Sequence, residues 1–154
     1  MAKNKRISTQ IDTSKMRIFC IVSKLPIHRL AWILNREFDW SLYRYGNILG
    51  ADSNYTTVSM DAKADESHEY VSFPLHIFKE EDGKYDVDLI YNKSERGSFI
   101  SELKQFDYII LLKGEFDYLP SAFLDRIKKV QDIQLVTEVP TQKIKEQHIL
   151  LSYR

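Results

Sequence analysis

The chain predicts an α+β fold: a single, mostly antiparallel sheet of five to six strands with two main helices packed on one face. Three observations lead there. Arg17 to Ser23 and Phe106 to Lys113 are short, nearly unbroken apolar runs rich in β-formers, the pattern of strands covered on both sides. Pro26 to Phe38 and Leu119 to Val130 instead repeat their apolar residues at helical spacing. Between them Val71, Phe73, Leu75 and Ile77 alternate along one segment and Tyr85, Val87, Leu89 and Tyr91 along the next, which marks two half-buried antiparallel strands.

Taken in order, residues 1–14 are polar and mildly basic without periodicity, so they predict a flexible tail ahead of a single α+β domain over 15–154. The strand Arg17 to Ser23 follows. Pro26 suits an early helical position, and Ile27, Leu30, Ala31, Leu34 and Phe38 form the stripe of the first helix. Residues 39–67 mix aromatics with Gly, Asn, Asp and Ser, which predicts a loop, a short strand near Tyr55 to Met60, and an exposed turn around Asp61 to Ser67.

If the two alternating rows of the next hairpin share one buried face, loop parity is fixed, because a one-residue slip turns a whole row over. A three-residue loop, Glu81-Asp82-Gly83, satisfies that parity with Gly83 at the left-handed position. Leu75 then faces Leu89, Ile77 faces Val87, and His76 lies opposite Asp88 on the other side. Pro74, lacking an N–H, belongs at an unpaired or edge position. Asn92 to Gly97 reads as a turn, Ile100 to Gln105 as a short helical turn, and Gly114 ends the strand that begins at Phe106. The second helix carries Arg126, Lys128 and Lys129 in its last turn, where cations suit the helix dipole. It either packs beside the first or links two parallel strands by a right-handed crossover. A strand at Ile133 to Val139 is stopped by Pro140, a helical turn falls near Lys143 to Gln147, and Ile149 to Tyr153 reads as a final edge strand.

Composition narrows the function. At 154 residues the chain is long enough for one real core. Its 22 basic residues balance 22 acidic ones, so no overall field draws it to nucleic acid or anionic lipid, and any such partner needs a local patch. No apolar stretch approaches the roughly 20 residues that cross a bilayer, and the N-terminus lacks the apolar centre of a secretory signal, so the expectation is a cytoplasmic protein with no membrane partner. The lone Cys20 sits within IFCIV as a small hydrophobe.

Catalytic vocabulary is nearly absent. Five glycines leave little room for a phosphate loop or dinucleotide fingerprint, and His28, His68, His76 and His148 have no second His or Cys at ligand spacing, so neither metal nor cofactor is expected. His76 opposite Asp88 is the one predicted imidazole–carboxylate contact, able to orient a general base but equally an ordinary cross-strand pair. The back of the first helix is the better candidate. At about 100° per residue Trp32 falls away from the apolar stripe, beside His28, Arg29, Asn35 and Arg36. These five residues form a candidate binding face for a protein or small-molecule partner, with Trp32 as anchor. The structural alternative is that the following loop, with Phe38, Trp40, Tyr43 and Tyr45, folds back over Trp32. The segment REFDWSLYRY interleaves aromatics with arginines as single-strand binders do, but Glu37 and Asp39 dilute its charge and argue against nucleic acid.

The segment ISELKQFDY resembles the signature of the IPExxxVDY family of small bacterial proteins, with Ile100, Glu102, Asp107 and Tyr108 matching, Ser101 in place of the motif's proline and Phe106 in place of its valine. HRLAWILN, His28 to Asn35, is similar to the helix near the start of those proteins. The resemblance implies a bacterial, Bacteroidetes-type cytoplasmic protein of unknown activity and transfers no catalytic residue. On physical grounds the four motif residues read as a structural lock at the start of a strand. The expected function is a non-enzymatic interaction or ligand-sensing module. The alternatives are a small enzyme assembled only in three dimensions from His76, Asp88, Glu102 and Asp107, and a protein that self-assembles through a strand edge as a homodimer.

Overall fold

The computed structural model describes residues 16–51, 54–60, 71–115, 119–145 and 153. The expected tail over 1–14 and the turn at Asp61 to Ser67 lie outside them. The strands are β1 (Met16–Ser23), β2 (Tyr43–Ala51), β3 (Asn54–Ser59), β4 (Val71–Lys79), β5 (Tyr85–Tyr91), the two-residue β6 (Lys93–Ser94) and β7 (Gly97–Ser98), β8 (Tyr108–Gly114) and β9 (Ile133–Val139), with helices α1 (Ile27–Phe38) and α2 (Leu119–Ile127). Seven of the strands form one sheet in the order β3-β2-β4-β5-β8-β1-β9, every pairing antiparallel. The fold is α+β, as expected, but with seven strands rather than five to six. The additional one is β2, which runs through the segment read as loop. Its glycines are there for close approach: a Cβ on Gly46 would fall on the Val58 carbonyl oxygen, and one on Gly50 would meet the Tyr55 ring.

Because all neighbours are antiparallel, β1 and β2 run parallel to each other at a distance, as do β8 and β9 on either side of β1. Both helices are therefore crossover connections. Pro26 precedes α1 in an extended conformation, and its carbonyl accepts the Arg29 and Leu30 N–H groups at 3.0 Å. The helix stops at Asp39, whose φ of 56° places it in the left-handed region that a short polar side chain tolerates.

Successive strand residues enter two different cores, so the sheet is buried on both sides. One cluster joins Phe19, Ile21, Val87, Leu89 and Ile110 to Leu30, Leu34 and Phe38 of α1 and Phe123 and Ile127 of α2. The other joins Ile18, Cys20, Phe73, Leu75, Ile77, Ile90, Ile109 and Leu111 to Phe99, Ile100, Leu103, Phe106, Ile144 and Tyr153. This overturns the predicted hairpin register. Leu75 pairs with Ile90, His76 with Leu89 and Ile77 with Asp88. The Glu80 N–H bonds to the Tyr85 carbonyl, leaving the four residues Glu81 to Lys84 as the loop. Gly83 keeps the left-handed conformation, φ 72°. The two apolar rows face opposite sides, and no penalty arises because neither side is solvent. The expected C-terminal strand at Ile149 to Tyr153 lies outside the described residues except for Tyr153, which is fully buried and not in a strand.

Candidate functional site

Of the motif residues, Asp107 and Tyr108 form a junction with the end of β1, whereas Ile100 packs in the second core and lines a separate recess with Glu102. The Asp107 N–H donates to the Ile21 carbonyl at 2.9 Å, while its Oδ2 accepts the Ser23 N–H, also at 2.9 Å, and its Oδ1 lies 3.3 Å from Lys93 Nζ. Ser23 N–H faces the β8 side beyond Ile21 and Tyr108, the last pair of the β1–β8 ladder, so the Asp107 carboxylate takes the place of a ladder carbonyl. The Tyr108 hydroxyl donates to the Leu25 carbonyl, and burial, with Tyr91 and Asp107 beside it, pushes its pKa upward. Ile100 is buried in the second core. Glu102 Oε2 accepts the Lys145 N–H at 2.6 Å, a bond that holds its carboxyl below the usual range despite some desolvation. Asn92, buried completely, completes the junction: its Nδ2 donates to the Leu103 and Phe106 carbonyls at 2.9 and 3.1 Å, and its Oδ1 accepts the Ile100 N–H at 3.0 Å. Beside this junction, where β1 passes into α1, a cleft of about 820 Å³ is lined by residues that include Leu25, Pro26, Tyr91, Asp107 and Tyr108.

The outer face of α1 carries the other candidate. Trp32 is 51% exposed, so the following loop does not cover it. Phe38 and Trp40 instead enter the first core, stacked 4.8 Å apart, with Trp40 Nε1 donating to the Tyr85 hydroxyl at 3.2 Å. Tyr43 remains exposed. Over the Trp32 ring stand two guanidiniums, Arg29 at 5.2 Å and Arg36 at 4.7 Å from its centroid. Asn35 is committed elsewhere: its amide accepts the Leu42 N–H at 2.8 Å and donates to the Leu42 carbonyl at 3.1 Å, which pins the chain leaving the helix. His28 is exposed at the start of α1. A groove of about 410 Å³ runs from Arg29, Trp32 and Arg36 to Arg126, Lys129 and Asp132 beyond the end of α2.

His76 and Asp88 are not brought together, since the true register turns them to opposite sides of the sheet. His76 is 5% exposed and its Nδ1 has no hydrogen-bond partner among the described residues. Burial pulls its pKa down to about 4, helped by the positive charges of Arg44 and His28. Asp88, fully buried, accepts from the Tyr153 hydroxyl and from Lys113 Nζ at 3.0 Å. Burial pushes the Cys20 thiol up to about 12, an inert setting. Among the described residues no group of three or more His, Cys, Asp or Glu gathers to hold a metal ion, and no helix is long and apolar enough to cross a membrane.

Sequence reasoning missed the Asp88–Lys113–Tyr153 group, Asn92 and the cleft. Partial signals existed in Asp107 and Tyr108 for the cleft and in Asp88 for the buried group, whereas Asn92 reads only as the start of a turn. The fold and site define an α+β protein built on one antiparallel sheet, with an arginine-flanked tryptophan on its first helix. Comparison of the chain with protein-family models, with curated proteins and with solved structures gives no match.

Proposed function

We propose that the chain is a non-enzymatic interaction or ligand-sensing module that docks a partner on the outer face of α1, with Trp32 as anchor and Arg29 and Arg36 beside it. The observation that carries this reading is the placement of Trp32. The chain has two tryptophans; Trp40 is 4% exposed in the core, whereas Trp32 is half exposed under two guanidiniums at the mouth of a groove. Large aromatic and arginine side chains together are the usual anchors of interfaces. His28 borders this face. Asn35 serves the loop instead.

Two further readings accompany it. One is that both helices cover one side of the sheet, a reading supported by the rule that such crossovers are right-handed and by the cluster that Leu34, Phe38, Phe123 and Ile127 share. The chain is also a relative of the IPExxxVDY proteins, a reading supported by the four matching residues Ile100, Glu102, Asp107 and Tyr108 and by the structural bonds that Glu102, Asp107 and Tyr108 make.

The docking reading is tested by placing a photo-crosslinking residue at Gln131, which lines the groove, and irradiating cells that express the chain. A discrete adduct is expected, absent when Trp32→Ala is added and absent from the same experiment with the crosslinker at exposed Lys104. Adducts indifferent to Trp32→Ala would remove the proposed surface.

A further inference from the structure

We infer that the partner of the α1 face is an acidic peptide segment whose carboxylates engage Arg29 and Arg36 together, an inference that rests on the docking reading above. The charge arrangement singles out these two arginines. Among the described residues no carboxylate pairs with either, whereas neighbouring Arg126 is held by Glu37 at 3.8 Å and lies 4.7 Å over the Phe38 ring. Lys129 extends the positive lining, so the groove gathers Arg29, Arg36, Arg126 and Lys129 against Glu37 and Asp132. That local surplus stands out in a chain whose formal net charge is zero.

The geometry then selects among anions. Cation–π attraction to the ring uses the charge of a guanidinium and not its N–H donors, so each arginine keeps donors to offer a carboxylate. Contact with the ring also restricts the long side chain beforehand, which lowers the ordering cost on binding. Arg29 and Arg36 are seven residues apart, about 10 Å along the helix axis, and both lean over the same ring. An extended peptide sets alternate side chains on one side about 6.6 Å apart, within reach of both guanidiniums at once. A nucleic acid base seeking the same ring must displace an arginine and forfeit its cation–π contact, so single-stranded nucleic acid fits less well.

The probe is a fluorescein-labelled nonapeptide with glutamate at alternate positions, titrated with the full chain by anisotropy. Saturable binding is expected at about 50 mM salt, weakening steeply by about 300 mM. The double variant Arg29→Gln, Arg36→Gln should bind about tenfold or more weakly, as loss of two charge-assisted contacts requires. Both arginines are exposed, so folding is retained; a circular dichroism spectrum checks this. Equal binding of the peptide with glutamine in place of glutamate, an unaffected double variant, or tight binding of a ten-nucleotide single strand without binding of the peptide would each overturn the inference. If the acidic peptide fails to bind while Trp32-dependent adducts persist at Gln131, the partner class is wrong and the docking surface stands. If those adducts are missing too, both fall.

Discussion

Acidification is expected to weaken the fold through one residue, His76. It lies in β4 between Arg44 of β2 and Leu89 of β5, 5% exposed, with Nδ1 unpartnered among the described residues. Two cationic or titratable groups bear on it, Arg44 from the neighbouring strand and His28 from α1, and both oppose a charge on its ring. The folded state therefore holds a neutral imidazole down to about pH 4, while the unfolded chain takes up the proton near pH 6.5. Between those values the unfolded state binds a proton that the folded state does not, so stability present above pH 6.5 is lost as pH falls, by about 1.4 kcal/mol per unit. Across the window this amounts to about 3 kcal/mol, of which about 2 kcal/mol falls between pH 7 and pH 4.5. That is a large share of the roughly 5–15 kcal/mol that holds a typical domain.

Urea unfolding of the native chain and of His76→Leu at a series of pH values isolates the effect, because the carboxylates titrate in both and cancel in the difference. At pH 7 the variant should be at least as stable, since it removes a buried atom without a partner. Its advantage should grow steadily as pH is lowered. Parallel pH profiles for the two chains, within about 0.5 kcal/mol, a usual precision for such differences, would refute the argument that His76 is held neutral by its surroundings.

Two other substitutions probe the sites that sequence reasoning overlooked. Asn92→Ala should cost about 3 kcal/mol or more in urea unfolding, because it strands the Ile100 N–H and the Leu103 and Phe106 carbonyls that the amide satisfies; a loss under about 1 kcal/mol would mean that water replaces the side chain. Tyr153→Phe should cost about 1.5–3 kcal/mol by withdrawing a donor from buried Asp88, and hydrogen exchange should quicken in β5 and β8, whereas unchanged exchange there would show that the hydroxyl is expendable.

Much of the fold was legible where burial imposed a simple pattern. Leu30, Ala31, Leu34 and Phe38 gave α1 because a helix on a sheet needs one apolar stripe, and the runs at β1 and β8 gave central strands because both of their sides are covered. The hairpin failed for the same physical reason applied wrongly. Alternation in β4 and β5 shows that each row is buried, but not that both are buried on one side. That step assumed that the outer side of the hairpin met water, whereas Val87 and Leu89 enter one core and Leu75 and Ile77 the other. The second core is roofed by Phe99, Ile100, Leu103 and Phe106, by Ile144 and by Tyr153, segments without strong periodicity, so nothing local announced it. Of the candidate site, Trp32 was visible through helical spacing alone, while the commitment of Asn35 to Leu42 depended on the path of the loop after the helix.

Asp107 and Tyr108 are also joined structurally to the outer face of α1. Asp107 and Tyr108 are about 80 positions from the first helix in sequence, yet their side chains hold the Ser23 N–H and the Leu25 carbonyl, the groups that bracket the turn into α1. Pro26 fixes the next φ, and its carbonyl starts the helical ladder. At the other end Asn35 grips Leu42 and Phe38 sinks into the core, so α1 is tied down before its first turn and after its last. A helix anchored at both ends presents its outward residues at a fixed rotation, and Trp32 with its two arginines sits midway between the anchors. The junction at Asp107 and Tyr108 thus sets where the α1 face begins and which way it points without touching that face.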